Sequence, residues 1–162
     1  RIRYNSIATV NVAYDAAEVL ELPRTPGFVV PAVEGRRITA ATISTQKYPQ
    51  RSPRDGVLLR AFIGGALAPQ LVELSDAELA AVAREEFADL LGIRAEPRFA
   101  VTRRWMRLLP EYGVGHVQAV TDIEGRAAAL GSLALAGSAY RGVGIPDCAA
   151  SGQSAAARLL SA

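Results

Sequence analysis

The residues best suited to chemistry lie near the end of the chain, in AYRGVGIPDCAASGQSAA at 139–156. Gly142-Val143-Gly144 leads directly into a predicted helix that opens with Ile145-Pro146-Asp147, a favourable first turn. Glycines let the backbone approach a ligand closely, and the free amides of a helix start favour negative charge. The segment could hold a phosphate or an electron-rich carbonyl oxygen. Alternatively, the glycines only satisfy the steric demands of a tight turn.

The other reactive side chains do not form a catalytic set. Cys148 and His116 are the only cysteine and histidine, and they cannot make a structural zinc site alone. We interpret Cys148 as a small buried residue on a helix face, and His116 and Tyr112 as packing or capping residues. No paired carboxylates and no nucleophile–base pair stand out. We therefore predict no catalytic side chain and no metal ligand, which is compatible with chemistry carried by a bound cofactor.

Alternating apolar residues and β-branched content predict the strands. In the first, Ala8, Val10, Val12 and Tyr14 share one face; in 57–64, Leu59, Ala61 and Ile63 lie opposite Arg60 and Phe62. A hairpin turn is predicted at Glu34-Gly35-Arg36 and a loop at 48–56. The predicted strands are residues 4–14, 28–30, 37–45, 57–64, 97–104 and 131–137.

The clearest helix signal is the sequence Ser75-Asp76-Ala77-Glu78, a capping box followed by apolar residues at helical spacing. Gly92 is a typical residue to end that helix. Two more helices are predicted, at about 115–129 and from Ile145 onward. Strands grouped before the long helix favour an α+β fold, a mostly antiparallel sheet with packed helices.

Composition limits the classes of protein. The chain has 162 residues, 50% hydrophobic and 21% charged, with a mean hydropathy of +0.16, which fits a folded core and excludes a disordered chain. The net charge of +2 is scattered, so nucleic-acid binding is not expected. The longest small, apolar stretch, 127–140, is too short to span a membrane, and no secretory signal follows the start. We expect a cytoplasmic protein.

Residues 139–156 closely resemble the C-terminal signature of the protoporphyrinogen and coproporphyrinogen oxidases, FAD enzymes of the amine-oxidase superfamily. Six motifs in the family's order make this resemblance specific and cover most of the chain. The supporting segments are GFVVP with EGRRITAAT (27–31 and 34–42), YPQRSP (48–53), LLRAFIGG (58–65), LSDAELAAVAREEFADLLGI (74–93) and RWMRLLPEYGVGH (104–116).

The resemblance implies that the chain is the C-terminal part of a longer enzyme. The family's N-terminal segment binds the dinucleotide through GxGxxG, and this sequence, which begins at Arg1, contains no such motif before a helix. We expect residues 1–129 to form a substrate-binding α+β domain. Residues 130–162 would be a strand and helix that return to the FAD domain. An exposed apolar face is expected on the sheet and along Gly131–Gly144.

Site residues follow from the resemblance, position by position. Trp105, Val143, Gly144 and Ile145 match residues beside the flavin, and the helix from Pro146 would point its positive end at a flavin oxygen. Phe62, Arg60, Ile38 and Thr42 lie on strands that line the substrate cavity in the family. Two departures affect substrate placement: Glu111 stands where the family usually has glutamine, and 41–43 lacks an aromatic common in bacterial members.

The implied activity is FAD-dependent oxidation of a porphyrinogen, either protoporphyrinogen IX or coproporphyrinogen III, to the porphyrin by oxygen in heme biosynthesis. We expect the isolated chain to be inactive and not to retain noncovalent FAD. Its expected partners are the porphyrinogen and the N-terminal half of the same protein, with room for peripheral membrane association or a homodimer. The alternative is a non-catalytic tetrapyrrole-binding or interaction module. RGVGIPDC and PEYGVGH argue against a carotenoid desaturase or monoamine oxidase.

Overall fold

The computed structural model describes residues 1–160, which divide into two compact units. One unit is Asn5–Leu108, and the other combines residues 1–4 with the described residues from Leu109 onward. The strands are β1 (Arg3–Asp15), β2 (Gly27–Val29), β3 (Ile38–Ile43), β4 (Gly56–Gly64) and β5 (Phe99–Glu111); the helices are α1 (Ser44–Lys47), α2 (Asp76–Leu91), α3 (His116–Ala129) and α4 (Ile145–Leu160). Short 3-10 turns occupy Ala16–Glu18, Ala32–Glu34, Pro49–Arg51 and Pro69–Glu73.

The five strands form one sheet in the order β2-β3-β4-β1-β5. The pairs β2–β3, β3–β4 and β1–β4 are antiparallel. Hydrogen bonds from Arg98 to Ala13 and from Arg107 to Ser6 show that β5 also runs antiparallel to β1. The predicted mostly antiparallel sheet with packed helices is confirmed. β3 ends at Ile43, two residues earlier than predicted, and β5 continues well past residue 104.

The core lies between one face of the sheet and α2. It confirms the predicted faces of β1 and β4, because alternate residues of each strand are fully buried and contact the apolar side of the helix. The helix begins as its sequence requires: Glu78 N–H donates to Ser75 Oγ at 3.3 Å, and Ser75 N–H donates to Glu78 Oε2 at 2.8 Å. Core side chains include Ala8, Val10, Val12, Tyr14, Leu59, Ala61, Ile63, Leu79, Ala83 and Phe87.

A β-bulge in β3 changes which side chains face the core. Ile38 pairs with Ile63, but Ala40 already pairs with Phe62, so the register shifts between residues 38 and 40. A bulge inserts one extra residue and reverses the alternation beyond it. Ile38 therefore joins the core, whereas uninterrupted alternation would place it on the same face as Thr42.

The second unit contains α3, α4 and the segment between them. The strand predicted at 131–137 is wrong: this segment begins with a bend, has no regular secondary structure, and forms no ladder with another strand. A strand needs a neighbour for its backbone hydrogen bonds. Here Gly137 N–H donates instead to the Ser151 hydroxyl of α4, at 3.1 Å. The helices predicted near 115–129 and from Ile145 are confirmed.

Candidate functional site

The face of the sheet that points away from α2 collects most of the predicted ligand residues of the first unit. Thr9 pairs with Phe62, and Asn11 pairs with Arg60, which in turn pairs with Thr42. Paired residues of a sheet project from the same face. Trp105 joins them from β5, because its indole contacts Thr9 while its neighbour Arg104 bonds the carbonyls of Val72 and Leu74 on the helical side. We call this surface, made by Thr9, Asn11, Thr42, Arg60, Phe62 and Trp105, the open face.

Trp105 is held by a single polar contact. Its Nε1–H donates to Thr9 Oγ1 at 3.2 Å, and the Thr9 hydroxyl donates to the carbonyl of Arg103 at 3.4 Å. Thr9 is 7% exposed and Trp105 is 43% exposed. The indole is thus tethered at its polar edge while much of its apolar surface remains accessible.

Arg60 is oriented without being neutralised. Its Nε–H donates to Asn11 Oδ1 at 2.8 Å, and among residues 1–160 no carboxylate lies within ion-pair distance of it. Other arginines of this unit, such as Arg37 and Arg98, pair with carboxylates. A half-buried guanidinium with uncompensated charge is suited to an acidic ligand.

Ile38 is the predicted substrate residue that the structure does not bring to the open face. It is 1% exposed and belongs to the core cluster, because the β3 bulge turns it toward α2. Phe62, Arg60 and Thr42 are half-buried on the open face, as a ligand surface requires.

In the second unit, the loop before α4 is closed by Asp147. Gly144 N–H donates to Asp147 Oδ2 at 3.2 Å, and a Cβ placed on Gly142 would lie 2.6 Å from the Asp147 side chain. These glycines make room for the Asp147 side chain. This supports the alternative that the glycines satisfy the steric demands of a tight turn. Val143 and Ile145 are 61% and 86% exposed.

Tyr112 and His116 fasten the segment that precedes this loop. Their rings stack with centroids 3.9 Å apart and planes 14° apart. Tyr112 O–H donates to the Ser138 carbonyl at 2.6 Å, and His116 Nε2 lies 2.8 Å from the Tyr140 carbonyl. Because Nε2 bonds a carbonyl oxygen, it must carry a proton. These contacts support the structural role predicted for both residues.

A cavity of about 450 Å³ lies between α3, the 134–142 segment and α4. Glu124 and Arg141, which both line it, form an ion pair. The hydrogen bond from Arg141 lowers the pKa of Glu124, and the pKa of Arg141 is raised in turn. No cluster of metal-ligating side chains occurs within residues 1–160, nor does any helix there have the length and apolarity to cross a bilayer.

Thr9 and Asn11 contact two of the candidate site residues, and neither was predicted from the sequence. The signal was present in YNSIATVNVAY, where Thr9 and Asn11 alternate with Ala8, Val10 and Val12. Polar residues at alternate positions of a strand face away from the core. Their partners, Arg60 and Trp105, lie 49 and 96 residues away, so only the sheet pairing shows what the two polar side chains contact.

Residues 1–160 match the family of flavin containing amine oxidoreductases, and the chain belongs to it. Within that family it is similar to the coproporphyrinogen III oxidases. It is 32% identical to the enzyme of Bacillus subtilis over 93% of this chain and 32% of that protein. It is 28% identical to the enzyme of Staphylococcus aureus over 96% of this chain and 34% of that protein.

Solved structures share this fold, and one of them is also similar in sequence. A protein from Exiguobacterium sp. 255-15, assigned as a protoporphyrinogen oxidase, superposes with a TM-score of 0.84 at 33% identity, covering 100% of this chain and 36% of that one. Reduced UDP-galactopyranose mutase superposes with a TM-score of 0.63 at 11% identity over 80% of this chain, which shows a shared fold alone. The chain spans about a third of the length of the Bacillus subtilis and Staphylococcus aureus enzymes.

FAD, the cofactor implied by the family, can be tested against the residues present. Val143 and Ile145 expose apolar side chains at the start of a 16-residue helix, which fits contact with a flat ring. The Gly144 amide, in contrast, already donates to Asp147. The exposed apolar side chains of the loop are therefore compatible with contact to a flat ring, whereas the Gly144 amide is not free to bond one.

Proposed function

We propose that the chain is the C-terminal third of an FAD-dependent oxidase of heme biosynthesis. The enzyme would dehydrogenate a porphyrinogen, either coproporphyrinogen III or protoporphyrinogen IX, to the porphyrin with oxygen as the electron acceptor. The observation that carries this proposal is the open face, which combines the exposed ring of Trp105 and the half-buried ring of Phe62 with the guanidinium of Arg60, which has no carboxylate partner within residues 1–160. A porphyrinogen presents the complementary chemistry, an apolar macrocycle with carboxylate side chains.

The chain's own residues bind and orient the substrate. Phe62 and Trp105 provide apolar surface for the macrocycle and displace water from it. Arg60 binds a substrate carboxylate, and Thr42, its pairing partner on β3, supplies a hydroxyl beside it. FAD, when bound, would supply the successive two-electron oxidations, with oxygen reoxidising the flavin after each one, so the residues of this chain are assigned binding and orientation alone. This division of labour agrees with the lack of a nucleophile–base set in the sequence.

Exposed apolar side chains of this chain support the proposal that a further part of the enzyme packs against them. Phe99 and Val101 are exposed on β5, and Leu130, Leu133, Val143 and Ile145 are exposed in the second unit. The expected exposure along the sheet and the Gly131–Gly144 segment is thus present. We propose that an N-terminal dinucleotide-binding part packs against these side chains and completes the FAD site. The isolated chain would then not retain FAD.

The test is direct because Trp105 is the only tryptophan. Coproporphyrin III and protoporphyrin IX, the stable oxidised rings, are titrated into the purified chain while Trp105 fluorescence is followed. We expect saturable quenching, and Arg60→Ala should weaken it about tenfold or more because a charge-assisted contact is lost. Arg24→Ala, which removes an exposed loop arginine, is the matched control. Equal binding by the Arg60 and Arg24 variants would refute the assignment of the open face.

Flavin content separates the enzyme from its alternative. A purified chain that is colourless, and that becomes flavin-loaded when its N-terminal part is added, supports the oxidase. Tight porphyrin binding with no dependence on FAD or on any further part would favour a non-catalytic tetrapyrrole-binding module. A stoichiometric flavin spectrum from the chain alone would contradict the proposed division of the FAD site.

A further inference from the structure

Strand β1 lies between the two strands that bear the most prominent ligand residues of the open face. Its neighbours are β4, which carries Arg60, and β5, which carries Trp105. Thr9 and Asn11 stand two positions apart on β1, and each contacts one of these side chains. One strand therefore restrains both an aromatic and a cationic contact point.

The Thr9 hydroxyl is both a hydrogen-bond acceptor and a hydrogen-bond donor. The oxygen accepts from the Trp105 indole at 3.2 Å, while the hydroxyl proton goes to the Arg103 carbonyl at 3.4 Å, on the strand that bears the indole. A hydroxyl whose proton is engaged in this way has its lone pairs directed toward the indole N–H. A serine retains this function, whereas an isosteric valine removes it.

Asn11 holds Arg60 with a neutral amide oxygen, at 2.8 Å from Nε. Within residues 5–108, ion pairs with carboxylates are formed by Arg36, Arg37, Arg84, Arg98 and Arg104, whereas Arg60 is among the arginines there for which no ion pair occurs. A carboxylate would orient the guanidinium equally well but would cancel its charge. The amide fixes the direction of Arg60 and leaves its attraction for an acidic ligand intact.

We propose that Thr9 and Asn11 are positioning residues: Thr9 fixes the indole of Trp105, and Asn11 aims Arg60 while preserving its charge. This inference rests on the proposed function for its ligand, but the geometry it describes exists without any ligand. The test is therefore divided into measurements on the free chain and measurements of binding.

The first measurement uses the single tryptophan. Thr9→Val should lower the fluorescence anisotropy of Trp105 and increase its quenching by acrylamide, while Thr9→Ser should retain the wild-type values. Thr39→Val is the matched control, because Thr39 donates a similar bond to the Phe62 carbonyl at 3.3 Å without contacting the indole. Urea unfolding of each variant separates loss of the fold from loss of the tether. Unchanged anisotropy and quenching in a folded Thr9→Val protein would overturn the role of Thr9.

The second measurement follows the Nε–H resonance of Arg60 by nitrogen-15 NMR, assigned with Arg60→Lys. Asn11→Leu should abolish the protection of this proton from solvent exchange, and Asn11→Asp should retain it. Asn11→Asp should nevertheless weaken coproporphyrin III binding roughly tenfold, because the added carboxylate compensates the guanidinium. Protection that survives Asn11→Leu, or wild-type affinity in Asn11→Asp, would overturn the role of Asn11.

Ligand binding and the positions of the two side chains are tested independently. A wild-type chain that binds no coproporphyrin III counts against the proposed function. In that case the anisotropy of Trp105 and the protection of Arg60 still decide whether Thr9 and Asn11 position them.

Discussion

The backbone N–H of Arg37 donates a hydrogen bond to the buried carboxylate of Glu86, over 3.1 Å. The second oxygen of the same carboxylate accepts from the Arg36 guanidinium at 3.2 Å. Glu86 belongs to α2, and the two arginines immediately precede β3, so this carboxylate fastens the helix to the start of the strand. Both of its oxygens are used, and the side chain is almost fully enclosed.

Removing the Glu86 carboxylate should therefore destabilise the unit Asn5–Leu108. We expect Glu86→Ala to lower the free energy of unfolding by about 2–3 kcal/mol, since two part-buried donors lose their shared acceptor. Glu86→Gln should cost about 1 kcal/mol less than Glu86→Ala, because one acceptor remains. Urea denaturation measures both. Glu85→Gln is the control: Glu85 is exposed and pairs with Arg37 at the surface, so its loss should cost about 1 kcal/mol or less. Similar losses at positions 85 and 86 would contradict this account.

Ile38 and Phe62 should separate stability from ligand binding. Ile38 is enclosed in the core, so Ile38→Ala should cost about 2–5 kcal/mol of unfolding free energy. The folded fraction should still bind coproporphyrin III with wild-type affinity. Phe62 is half-buried on the open face, so Phe62→Ala should cost less stability but weaken binding. Denaturation curves measure the free energy of unfolding, and Trp105 quenching measures coproporphyrin III affinity. Weaker binding by Ile38→Ala, with wild-type binding by Phe62→Ala, would show that Ile38 and not Phe62 belongs to the ligand surface.

Local patterns in the sequence predict the parts of this fold that depend on near neighbours. The capping box of Ser75 and Glu78 involves residues three apart, so it could be recognised without knowing the fold. Strand alternation is equally local, and it gives the buried faces of β1 and β4 correctly. The resemblance to porphyrinogen oxidases predicts membership of the amine-oxidase family, and the match over residues 1–160 confirms it.

What the sequence could not predict depends on contacts between distant residues. The bulge that buries Ile38 arises from the register of β3 against β4. The residue type at Thr39 does not predict a bulge. The small-residue segment 131–137 has strand-like composition, but a strand requires a neighbour with which to pair. The Thr9–Trp105 contact joins the first and last strands of the sequence and emerges only when both lie in one sheet.

The contact between Gly142 and Asp147 predicts a steric penalty that a second substitution removes. A Cβ at position 142 would lie 2.6 Å from the Asp147 Cβ, so Gly142→Ala should lower the free energy of unfolding by about 1–3 kcal/mol. In an Asp147→Gly background the same substitution should cost nearly nothing, and this coupling is measured with a double-mutant cycle.

A second glycine of the same region serves as the control for that cycle. Gly152 lies within α4 with open space around it, so Gly152→Ala should raise stability by about 0.5–1 kcal/mol through helix propensity alone. A similar loss for Gly142→Ala with and without Asp147 would show that the close approach is not what selects glycine at position 142.

Tyr14 makes stability fall at alkaline pH. Burial raises the pKa of its phenol to about 12 from the ordinary value of 10.0, with Arg84 opposing the shift and Glu96 adding to it. Because the folded chain holds this proton more tightly than the unfolded chain, Tyr14 contributes stability that is complete below pH 10. That contribution should be lost as the pH rises from about 10 toward 12.

Urea unfolding at a series of pH values measures how steeply the free energy of unfolding falls with pH. Tyr14→Phe keeps the ring in the core and should remove this part of the slope while leaving stability at neutral pH nearly unchanged, since the phenol has no hydrogen-bond partner within residues 1–160. An unaltered slope in the phenylalanine variant would assign the alkaline loss to other groups.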